Sequence, residues 1–309
     1  MNLQQLQYIV AANKTRHFVK AAQSCGVSQP TLSAMIQKLE AELDVKIFNR
    51  DKNPIEPTEI GAKIILQAET CLNDVKRIEE VILSEMQALE GRLSLGILPS
   101  IAPYVVPDFI PKFQEKNQAV DLTISEMTSQ NLVQHLLKAD LDMAIMTTPL
   151  NQPDLLEIPL YKERFLAYFG SSCPCTYDVE SVSPDNMPNA KLWVLLEGNC
   201  PRSDVFNFCH LRSLGETTYQ AGSTETLIHI VDNNGGFTVI PQLHTRYLSE
   251  EKMKQVRPFD APDAKREISL VIRKDYLKEN MLNAVVDVIK EIIPEDLLEK
   301  KIKDFRVRL

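Results

Sequence analysis

One cysteine, Cys200, has a setting that favours thiol chemistry. The apolar run Leu192–Leu196 predicts a buried strand leading towards it, and Gly198 breaks that strand. Pro201 suits the first turn of a helix, where its missing N–H costs nothing. The sequence therefore predicts Cys200 at a helix N-terminus, where free backbone N–H groups and the nearby Arg202 favour the thiolate.

A second cysteine, Cys209, follows nine residues later. In a helix this separation spans roughly 13 Å along the axis, whereas a disulfide needs Cα atoms within about 7 Å. The two sulfurs can bond only if the predicted helix is rebuilt. The pair therefore suits an oxidation switch better than a permanent structural disulfide. The residues alone leave open a second interpretation, two unrelated core cysteines, because free cysteine is among the most buried residue types.

The composition is that of an ordinary globular protein of two or three domains, with 309 residues and a net charge of −8. Residues 1–57 hold seven Lys/Arg against five Asp/Glu, a balance of +2 that leaves −10 on the rest. A slightly basic head on an acidic body is typical of a small nucleic-acid-binding domain joined to another domain. No apolar run has membrane-spanning length and no signal peptide is recognisable, so we expect a cytoplasmic protein with reduced cysteines.

The other chemistry-bearing residues match no catalytic or metal pattern. Cys173-Pro174-Cys175 is too tight for a C-x-x-C redox pair, and no second Cys/His pair supports a zinc site. Neither a Ser/His/Asp order nor a glycine-rich phosphate loop is present in the sequence. We therefore expect no cofactor, no metal and no enzymatic activity.

Residues 1–57 contain three helical patterns. The second surrounds Phe18–Ala22, and a turn holding Gly26 separates it from a third helix, predicted from Gln29 to about Leu43 with Ser28 as its N-cap. Two helices joined by such a turn are typical of a helix-turn-helix, whose second helix enters the major groove of DNA. The side chains expected to pack inward are Leu3, Leu6, Ile9, Val10, Leu32, Met35, Ile36 and Leu39.

The outer face of the third helix carries the candidate DNA contacts. Its polar side chains can reach base edges or phosphates, and Lys38 is better suited to phosphate. A strand at Val45–Arg50, a turn at Asp51–Pro54 and a return from Ile55 predict a β-hairpin wing whose Arg50 touches DNA. The predicted contacts are Gln29, Pro30, Thr31, Ser33, Lys38 and Arg50. The alternative is a three-helix packing module whose polar face is merely solvated.

Residues 58–91 predict one long helix, capped by Thr58 and ending near Gly91. Its apolar residues recur at alternating steps of four and three, the pattern of a coiled-coil seam. The seam comprises Ile64, Ala68, Cys71, Val75, Ile78, Ile82 and Leu89. We expect a dimerisation helix, which suits a protein that reads two DNA half-sites; the alternative is a helix packed on its own domain.

Residues 92–309 alternate strand and helix patterns, which predict mostly parallel sheets covered by helices. The predicted strands are Leu93–Leu98, Val120–Ile124, Asp142–Met146, Arg164–Phe169, Leu192–Leu196, Thr238–Ile240 and Ile268–Ile272. The predicted helices are Tyr104–Lys116, Gln130–Ala139, Ser223–Asn233 and Glu279–Ile292. We expect two lobes, one of about 92–163 with 268–309 and one of about 164–267, with a ligand cleft between them.

Polar residues at strand ends are the candidates for that cleft. They are Ser100, Thr128, Ser129 and the run Ser223–Thr226. Each is also a good N-cap, so a purely structural role is the better interpretation of any one of them in isolation.

The order and spacing of the head segments resemble the winged helix-turn-helix of LysR-type transcriptional regulators. These segments are Phe18, Ala21-Ala22, Val27–Ser33, Ile36–Glu40, Leu43, Phe48–Arg50 and Thr58–Gly61. The resemblance implies an α+β multi-domain chain, with an N-terminal winged helix-turn-helix, a long linker helix and a two-lobed α/β regulatory domain similar to periplasmic binding proteins. It also implies that the partners are double-stranded promoter DNA, further copies of the chain in a homodimer or homotetramer, and RNA polymerase.

Further segments resemble the OxyR branch of that family, which senses hydrogen peroxide. They are Ile97–Ser100, Pro103-Tyr104, Val106-Pro107, Leu196–Cys200 with Arg202, Phe208-Cys209 and Ser223–Leu227. This resemblance implies that Cys200 is the peroxidatic thiol and Cys209 the resolving thiol, and that their disulfide alters transcription, as in an activator of the oxidative-stress response. It also implies a peroxide pocket of Ser100, Ser129, Asn199 and Arg266.

Two departures from the branch stand beside the reactive cysteine. Asn199 occupies a position that is commonly His, and Pro201 stiffens the predicted helix start. Two other functions remain open on the sequence: a regulator that binds a metabolite anion near Ser100, Ser129 and Thr226 with inert cysteines, and a thiol peroxidase that carries a DNA-binding head.

Overall fold

The computed structural model describes residues 1–50, 52, 54–85, 89–171, 173, 180–183, 190–195, 216–219, 223–260, 265–300 and 302. The chain forms two compact units, Met1–Met86 with Leu137–Asp140, and Gln87–Leu136 with Leu141–Leu309. The predicted helix start at Cys200, together with Asn199 and Cys209, lies outside the described residues. None of the helices described is both long enough and apolar enough to cross a membrane.

The first unit begins with three helices, α1 (Leu3–Thr15), α2 (Phe18–Ser24) and α3 (Gln29–Leu43), and each opens with a side-chain cap. Asn2 forms a capping box with Gln5, and the Ser28 hydroxyl accepts a hydrogen bond from the Thr31 N–H. Such caps satisfy backbone donors that the first turn leaves unpaired. The predicted start and end of the third helix are therefore confirmed.

The apolar faces of these helices form one core. Its fully or partly buried members include seven of the eight side chains that were predicted to pack inward: Leu6, Ile9, Val10, Leu32, Met35, Ile36 and Leu39. The prediction for Leu3 is wrong, since this first residue of α1 is exposed and the buried face of the helix begins one turn later.

The wing strands are shorter than predicted, with β1 (Phe48–Asn49) paired antiparallel to β2 (Glu56–Pro57). The backbone of Ile47 explains the difference. Its N–H donates to the Glu40 carboxylate at 2.8 Å, and its carbonyl accepts from the Thr58 N–H at 2.9 Å. The Ile47 carbonyl thus accepts in register with the Phe48–Pro57 pair, whereas the Ile47 N–H is bound by Glu40 and is not used in the strand ladder.

The long helix after the wing is α4 (Glu59–Glu85). The Thr58 hydroxyl accepts from the Gly61 N–H at 2.9 Å, as the predicted cap requires. The helix ends before the predicted Gly91, which instead begins a strand of the second unit. Gly91 has φ 95°, a left-handed backbone value that glycine adopts readily and a helix does not contain.

The first part of α4 packs on the core of its own unit. Ala68 is buried there, and Ile64 and Cys71 pack against the same core. Three residues of the predicted coiled-coil seam therefore pack within the first unit. This agrees with the alternative interpretation, a helix packed on its own domain, for the first part of α4. Val75, the next seam residue, is exposed, and the side chains of residues 76–85 are not among those described.

The second unit is built on a mixed sheet of nine described strands. The strands are β3 (Gly91–Ile97), β4 (Val120–Glu126), β5 (Met143–Thr148), β6 (Leu155–Phe169), β7 (Leu192–Leu195), β8 (Glu216–Tyr219), β9 (Phe237–Pro241), β10 (Val256–Pro258) and β11 (Lys265–Arg273). Their order is β4-β3-β5-β11-β6-β9-β7-β8, and β10 pairs with β6.

The sheet has two parallel groups joined by two long antiparallel strands. Parallel pairing links β3 with β4 and β5, and β7 with β8 and β9. Strands β6 and β11 run antiparallel to each other and to the neighbours that the structure describes. The prediction of mostly parallel sheets therefore holds for the two groups, which form the two lobes, and is wrong for the strands that join them.

Five α-helices and one 3-10 helix of the second unit are described. They are α5 (Ala102–Lys116), α6 (Ser129–Leu137), α7 (Thr224–Asn234), a 3-10 helix (Gln242–Tyr247), α8 (Glu250–Met253) and α9 (Glu279–Ile292), which follows the last described strand. The bounds of α9 coincide with the prediction, because one face of this helix supplies eight buried residues at helical spacing.

Candidate functional site

The exposed face of α3 carries most of the predicted DNA contacts. The side chains of Gln29, Pro30, Thr31 and Lys38 are all exposed. The Ser28 hydroxyl accepts from the Thr31 N–H at 3.3 Å and lies 2.8 Å from the Thr31 hydroxyl. The first turn of α3 thus presents polar groups on a fixed backbone, an arrangement suited to phosphates and base edges.

Arg50 and Ser33, two other predicted contacts, are engaged within the unit. The Arg50 guanidinium lies 3.1 Å from the Glu40 carboxylate and donates to the Ser33 hydroxyl at 3.4 Å. It also lies 5.6 Å from the centroid of the Phe18 ring, within the range of a cation–π contact. These contacts orient Arg50 at the root of the wing, and its side chain remains 30% exposed and open to a phosphate.

Glu40 is a residue of this site that the sequence interpretation missed. Its buried carboxylate accepts from the N–H groups of Ile47 at 2.8 Å and Phe48 at 3.2 Å while pairing with Arg50. One side chain thus ties the wing to α3. The sequence did contain a sign of this role. Glu40 lies four residues after Ile36, so it places a charged group on the apolar face of the helix.

Ser100 and Ser129 lie at one edge of the sheet in the second unit. The parallel strands β3 and β4 pair with Ile97 opposite Glu126, and each serine follows three residues after its strand ends. Carboxyl ends of parallel strands share an edge, where ligands of α/β proteins commonly bind. Both serines are buried, and the Ser129 hydroxyl has no hydrogen-bond partner among the described residues. A buried polar group of this kind calls for a bound water or ligand.

Arg266 reaches Ser100 from strand β11. Its guanidinium donates to the Ser100 hydroxyl at 2.8 Å and to the Ser100 carbonyl at 3.2 Å. The same group donates through Nε to Glu163 at 2.9 Å, and the two side chains are 3% and 0% exposed. Because Glu163 and Arg266 are direct cross-strand partners on β6 and β11, the sheet register itself builds this buried ion pair.

Glu163 is the centre of this cluster, and the sequence interpretation missed it. The Tyr104 hydroxyl donates to it at 2.7 Å, and the Leu243 N–H donates to its other oxygen at 3.2 Å. Burial raises the pKa of Tyr104 well above its usual value, so the phenol keeps the proton that it donates. The carboxylate therefore joins α5, β11 and the 3-10 helix.

The charges of the cluster compensate each other. The Glu163 carboxylate offsets the Arg266 guanidinium, so Ser100 lies beside a cation that already has its counter-ion. A bound anion would have to compete with that carboxylate, whereas a small neutral molecule needs only hydrogen-bonding groups. The geometry around Ser100 therefore favours a neutral, polar ligand.

Comparison with protein families places these sites in a known context. The model of bacterial regulatory helix-turn-helix proteins of the lysR family matches residues 3–62, and that of the LysR substrate binding domain matches residues 86–293. The chain belongs to the LysR family. LysR-family proteins are transcriptional regulators, and the helix-turn-helix is their DNA-binding part.

The relatives of this LysR-family chain include peroxide-responsive regulators. The hydrogen peroxide-inducible genes activator of Haemophilus influenzae is 32% identical, over 95% of this chain and 99% of its own. The DNA-binding transcriptional dual regulator OxyR of Escherichia coli is 32% identical, over 88% and 90% respectively. A solved full-length OxyR variant from Pseudomonas aeruginosa matches with a TM-score of 0.75 and 29% identity, over 97% and 98%. The chain therefore lies on the OxyR branch of the family.

The other residues that the sequence suggested for the ligand cleft or the redox site fall into two groups. Some are seen in the structure, and the others are not among the described residues. The Ser223 hydroxyl caps α7 by accepting from the Thr226 N–H at 3.3 Å, and Thr128 is exposed. Cys200, Cys209 and Asn199 are not among the described residues. Within the part of the chain that the structure describes, no group of His, Cys, Asp and Glu side chains is arranged to hold a metal ion.

Proposed function

We propose that this LysR-family regulator senses hydrogen peroxide and converts the oxidation of two cysteines into a change in transcription. The observation that carries the proposal is the end-to-end similarity to proteins named as hydrogen peroxide-inducible genes activators. The buried, charge-compensated cluster beside Ser100 supports it, because hydrogen peroxide is small, neutral and able both to donate and to accept hydrogen bonds.

The proposed chemistry begins at Cys200. Its thiolate attacks one oxygen of the peroxide, the O–O bond breaks, and the departing hydroxide takes up a proton to leave as water. The product is a sulfenic acid on Cys200. The thiol of Cys209 then attacks that sulfur, forms the Cys200–Cys209 disulfide and releases a second water, so each peroxide oxidises one pair of thiols.

The disulfide is the proposed signal because it demands a new local structure. Two cysteines nine residues apart lie roughly 13 Å apart along a helix, and a disulfide needs Cα atoms within about 7 Å. If the segment between Cys200 and Cys209 is helical, as the sequence predicts, closing that distance requires the helix to be rebuilt. Rearrangement of the regulatory domain then alters how the protein acts on its promoter.

We assign the peroxide to a pocket of Ser100, Ser129, Asn199 and Arg266. The Arg266 guanidinium orients the Ser100 hydroxyl, and the Ser129 hydroxyl lacks a partner among the described residues, so both can serve a small polar ligand. Asn199 supplies an amide where the branch commonly has His. An amide can hold peroxide by hydrogen bonds, although it cannot relay a proton as an imidazole does.

We assign DNA binding to the exposed face of α3 and to the wing, with Gln29, Thr31 and Lys38 as contacts and Arg50 at the wing root. The proposed assembly is a homodimer or homotetramer that uses α4, and RNA polymerase is the proposed partner at the promoter. The exposure of the α3 residues supports this assignment.

Thiol mapping of the full-length protein tests the central chemistry. Reduced protein receives a brief pulse of dilute hydrogen peroxide, free thiols are alkylated, and peptides are analysed by mass spectrometry. We expect a Cys200–Cys209 cross-link in the parent protein and a trapped sulfenic acid at Cys200 in Cys209→Ser. Cys173→Ser is the matched control, since Cys173 is a buried cysteine that the proposed chemistry does not use and its loss should leave the cross-link intact.

The same experiment separates the rival functions. Cys200 and Cys209 that stay reduced while other thiols oxidise would overturn the proposal. A metabolite sensor with inert cysteines would instead show thermal stabilisation by a metabolite, unchanged in Cys200→Ser. Repeated peroxide turnover per Cys200 in the presence of a reductant would identify a thiol peroxidase.

A further inference from the structure

A second candidate site lies on the same two long strands. Strands β6 and β11, together with the segment of residues 296–300, line a surface cavity of about 730 Å³. Small-molecule sites in proteins typically have volumes of roughly 300–1,000 Å³. The cavity is therefore large enough for a metabolite.

The sheet register separates this cavity from the Ser100 cluster. Arg164 lies directly opposite Lys265, and the next cross-strand pair is Glu163 with Arg266. Successive side chains of a strand point to opposite faces of the sheet. Arg164 and Lys265 therefore face the cavity from one side of the strands, and the buried ion pair occupies the other side.

The Arg164 and Lys265 pair places two cations side by side. Like charges directly opposite each other on adjacent strands are destabilising. Both side chains are exposed, and neither forms an ion pair with any residue that the structure describes. Lys300, also exposed, adds a third cation to the lining. The cavity thus concentrates positive charge that the described residues do not neutralise.

The next cross-strand pair on the same face of the sheet, two residues along each strand, shows the opposite arrangement. Lys162 faces Glu267, and its ammonium lies 3.0 Å from the carboxylates of both Glu267 and Glu299. The two pairs share the same strands and the same face, yet only Lys162 is compensated. The unpaired charge is therefore a local property of Arg164 and Lys265 and not a general feature of this surface.

Backbone hydrogen bonds hold the wall of the cavity in place. The Lys162 N–H donates to the Leu297 carbonyl at 3.0 Å, and the Glu299 N–H donates to the Leu160 carbonyl at 2.9 Å. Across the cavity, the Arg164 N–H donates to the Gln242 side chain at 3.3 Å. The segment that carries Lys300 is thus anchored to β6, which pre-organises the cations on both sides.

We propose that this cavity binds a small phosphorylated metabolite that carries at least two negative charges. Arg164 offers a planar guanidinium that can bind phosphate through two parallel hydrogen bonds, and Lys265 and Lys300 supply compact point charges. Asp296, an exposed carboxylate in the lining, can accept a hydrogen bond from a ligand hydroxyl. The site is distinct from the peroxide pocket and does not depend on it.

Calorimetric titration of the reduced, full-length protein with pyrophosphate tests the site, with sodium chloride of matched ionic strength as the blank. We expect saturable binding that weakens at least tenfold in Arg164→Gln and in Lys265→Gln. Lys274→Gln is the matched control. It removes an exposed lysine directly after the end of β11, and because this lysine does not line the cavity, the affinity should not change.

Thermal unfolding supplies a second readout that does not require ligand. Without pyrophosphate and at low salt, Lys265→Gln should unfold at a higher temperature than the parent protein, because the repulsion with Arg164 is removed. With pyrophosphate, the parent protein should gain stability and the variant should not. The proposal is overturned if pyrophosphate gives no saturable heat beyond the salt blank, or if Lys274→Gln weakens binding as much as Lys265→Gln.

Discussion

Replacement of the buried Glu163 by glutamine should strongly destabilise the second unit. Glutamine keeps the volume of the side chain and one acceptor oxygen, but it leaves the buried Arg266 guanidinium without its counter-ion. Removing one partner of a buried ion pair costs about 3–5 kcal/mol, and the retained hydrogen bonding offsets about 1 kcal/mol of that. We therefore expect Glu163→Gln to lower the free energy of unfolding by about 2–4 kcal/mol.

The chain offers a built-in probe for this measurement. Trp193 is the single tryptophan of the sequence, and its indole N–H donates to the Gly235 carbonyl at 2.9 Å within the second unit. Its fluorescence during urea unfolding of the full-length protein therefore reports on that unit. A loss of stability should move the urea midpoint with little change in the slope, and should lower the melting temperature by roughly 10 °C.

A neighbouring carboxylate provides the matched control. Glu267 follows Arg266 on β11 and pairs at 3.0 Å with Lys162, whose side chain is 51% exposed. Surface ion pairs of this kind contribute about 0–1 kcal/mol, so Glu267→Gln should have a small effect. Losses of stability in the two variants that agree within about 1 kcal/mol would refute the reasoning that burial makes the Glu163 pair critical.

Three further changes test other parts of the structure. Glu40→Gln should lower the stability of the first unit by about 1–3 kcal/mol and weaken binding to promoter DNA in fluorescence anisotropy, while the exposed Glu42→Gln should keep parental DNA affinity. Burial lowers the pKa of His244 below its usual value of 6.5, so stability should be complete above that value and fall as pH drops towards the lower folded pKa. Urea midpoints at pH about 7.5 and about 5.5 should show this fall, and His244→Gln should flatten it. Gly236→Ala should cost at least about 2 kcal/mol in the tryptophan assay, because Gly236 has φ +84° and a Cβ there would lie 2.2 Å from the Lys191 carbonyl oxygen; an unchanged midpoint would contradict this geometry.

Elements with strong local signals were predictable from the sequence. The helix Gln29–Leu43 combines a serine cap with an apolar stripe at helical spacing, and the helix Glu279–Ile292 has an even stronger stripe. Both signals act within a few turns of the chain, so they do not depend on tertiary contacts.

Strand β6 is an element that local sequence patterns predicted only in part. Only Arg164–Phe169 was predicted, whereas the strand runs over Leu155–Phe169. Pro159 and the charged residues after it argue against a strand when they are taken alone. In the structure the register with β11 shifts next to Pro159, between the partners of Ile268 and Ser269, so a bulge accommodates the proline.

The two buried carboxylates were beyond prediction for a related reason. Glu163 lies among charged neighbours and reads as a solvated side chain, yet its partners Tyr104 and Arg266 are 59 and 103 residues away. Glu40 likewise binds a wing that folds back onto its helix. A long-range pairing of this kind leaves no periodic pattern in a single sequence. Ser100 was predicted from its position after a strand, and Arg266 was found because the family resemblance pointed to it.

The bond between Cys200 and Cys209 is the most direct test of the central claim. Non-reducing peptide mapping of the full-length protein after one equivalent of hydrogen peroxide should find these two residues linked, together with a change in promoter-DNA binding that Cys200→Ser abolishes. An altered DNA affinity with both residues still in the thiol form would contradict the account.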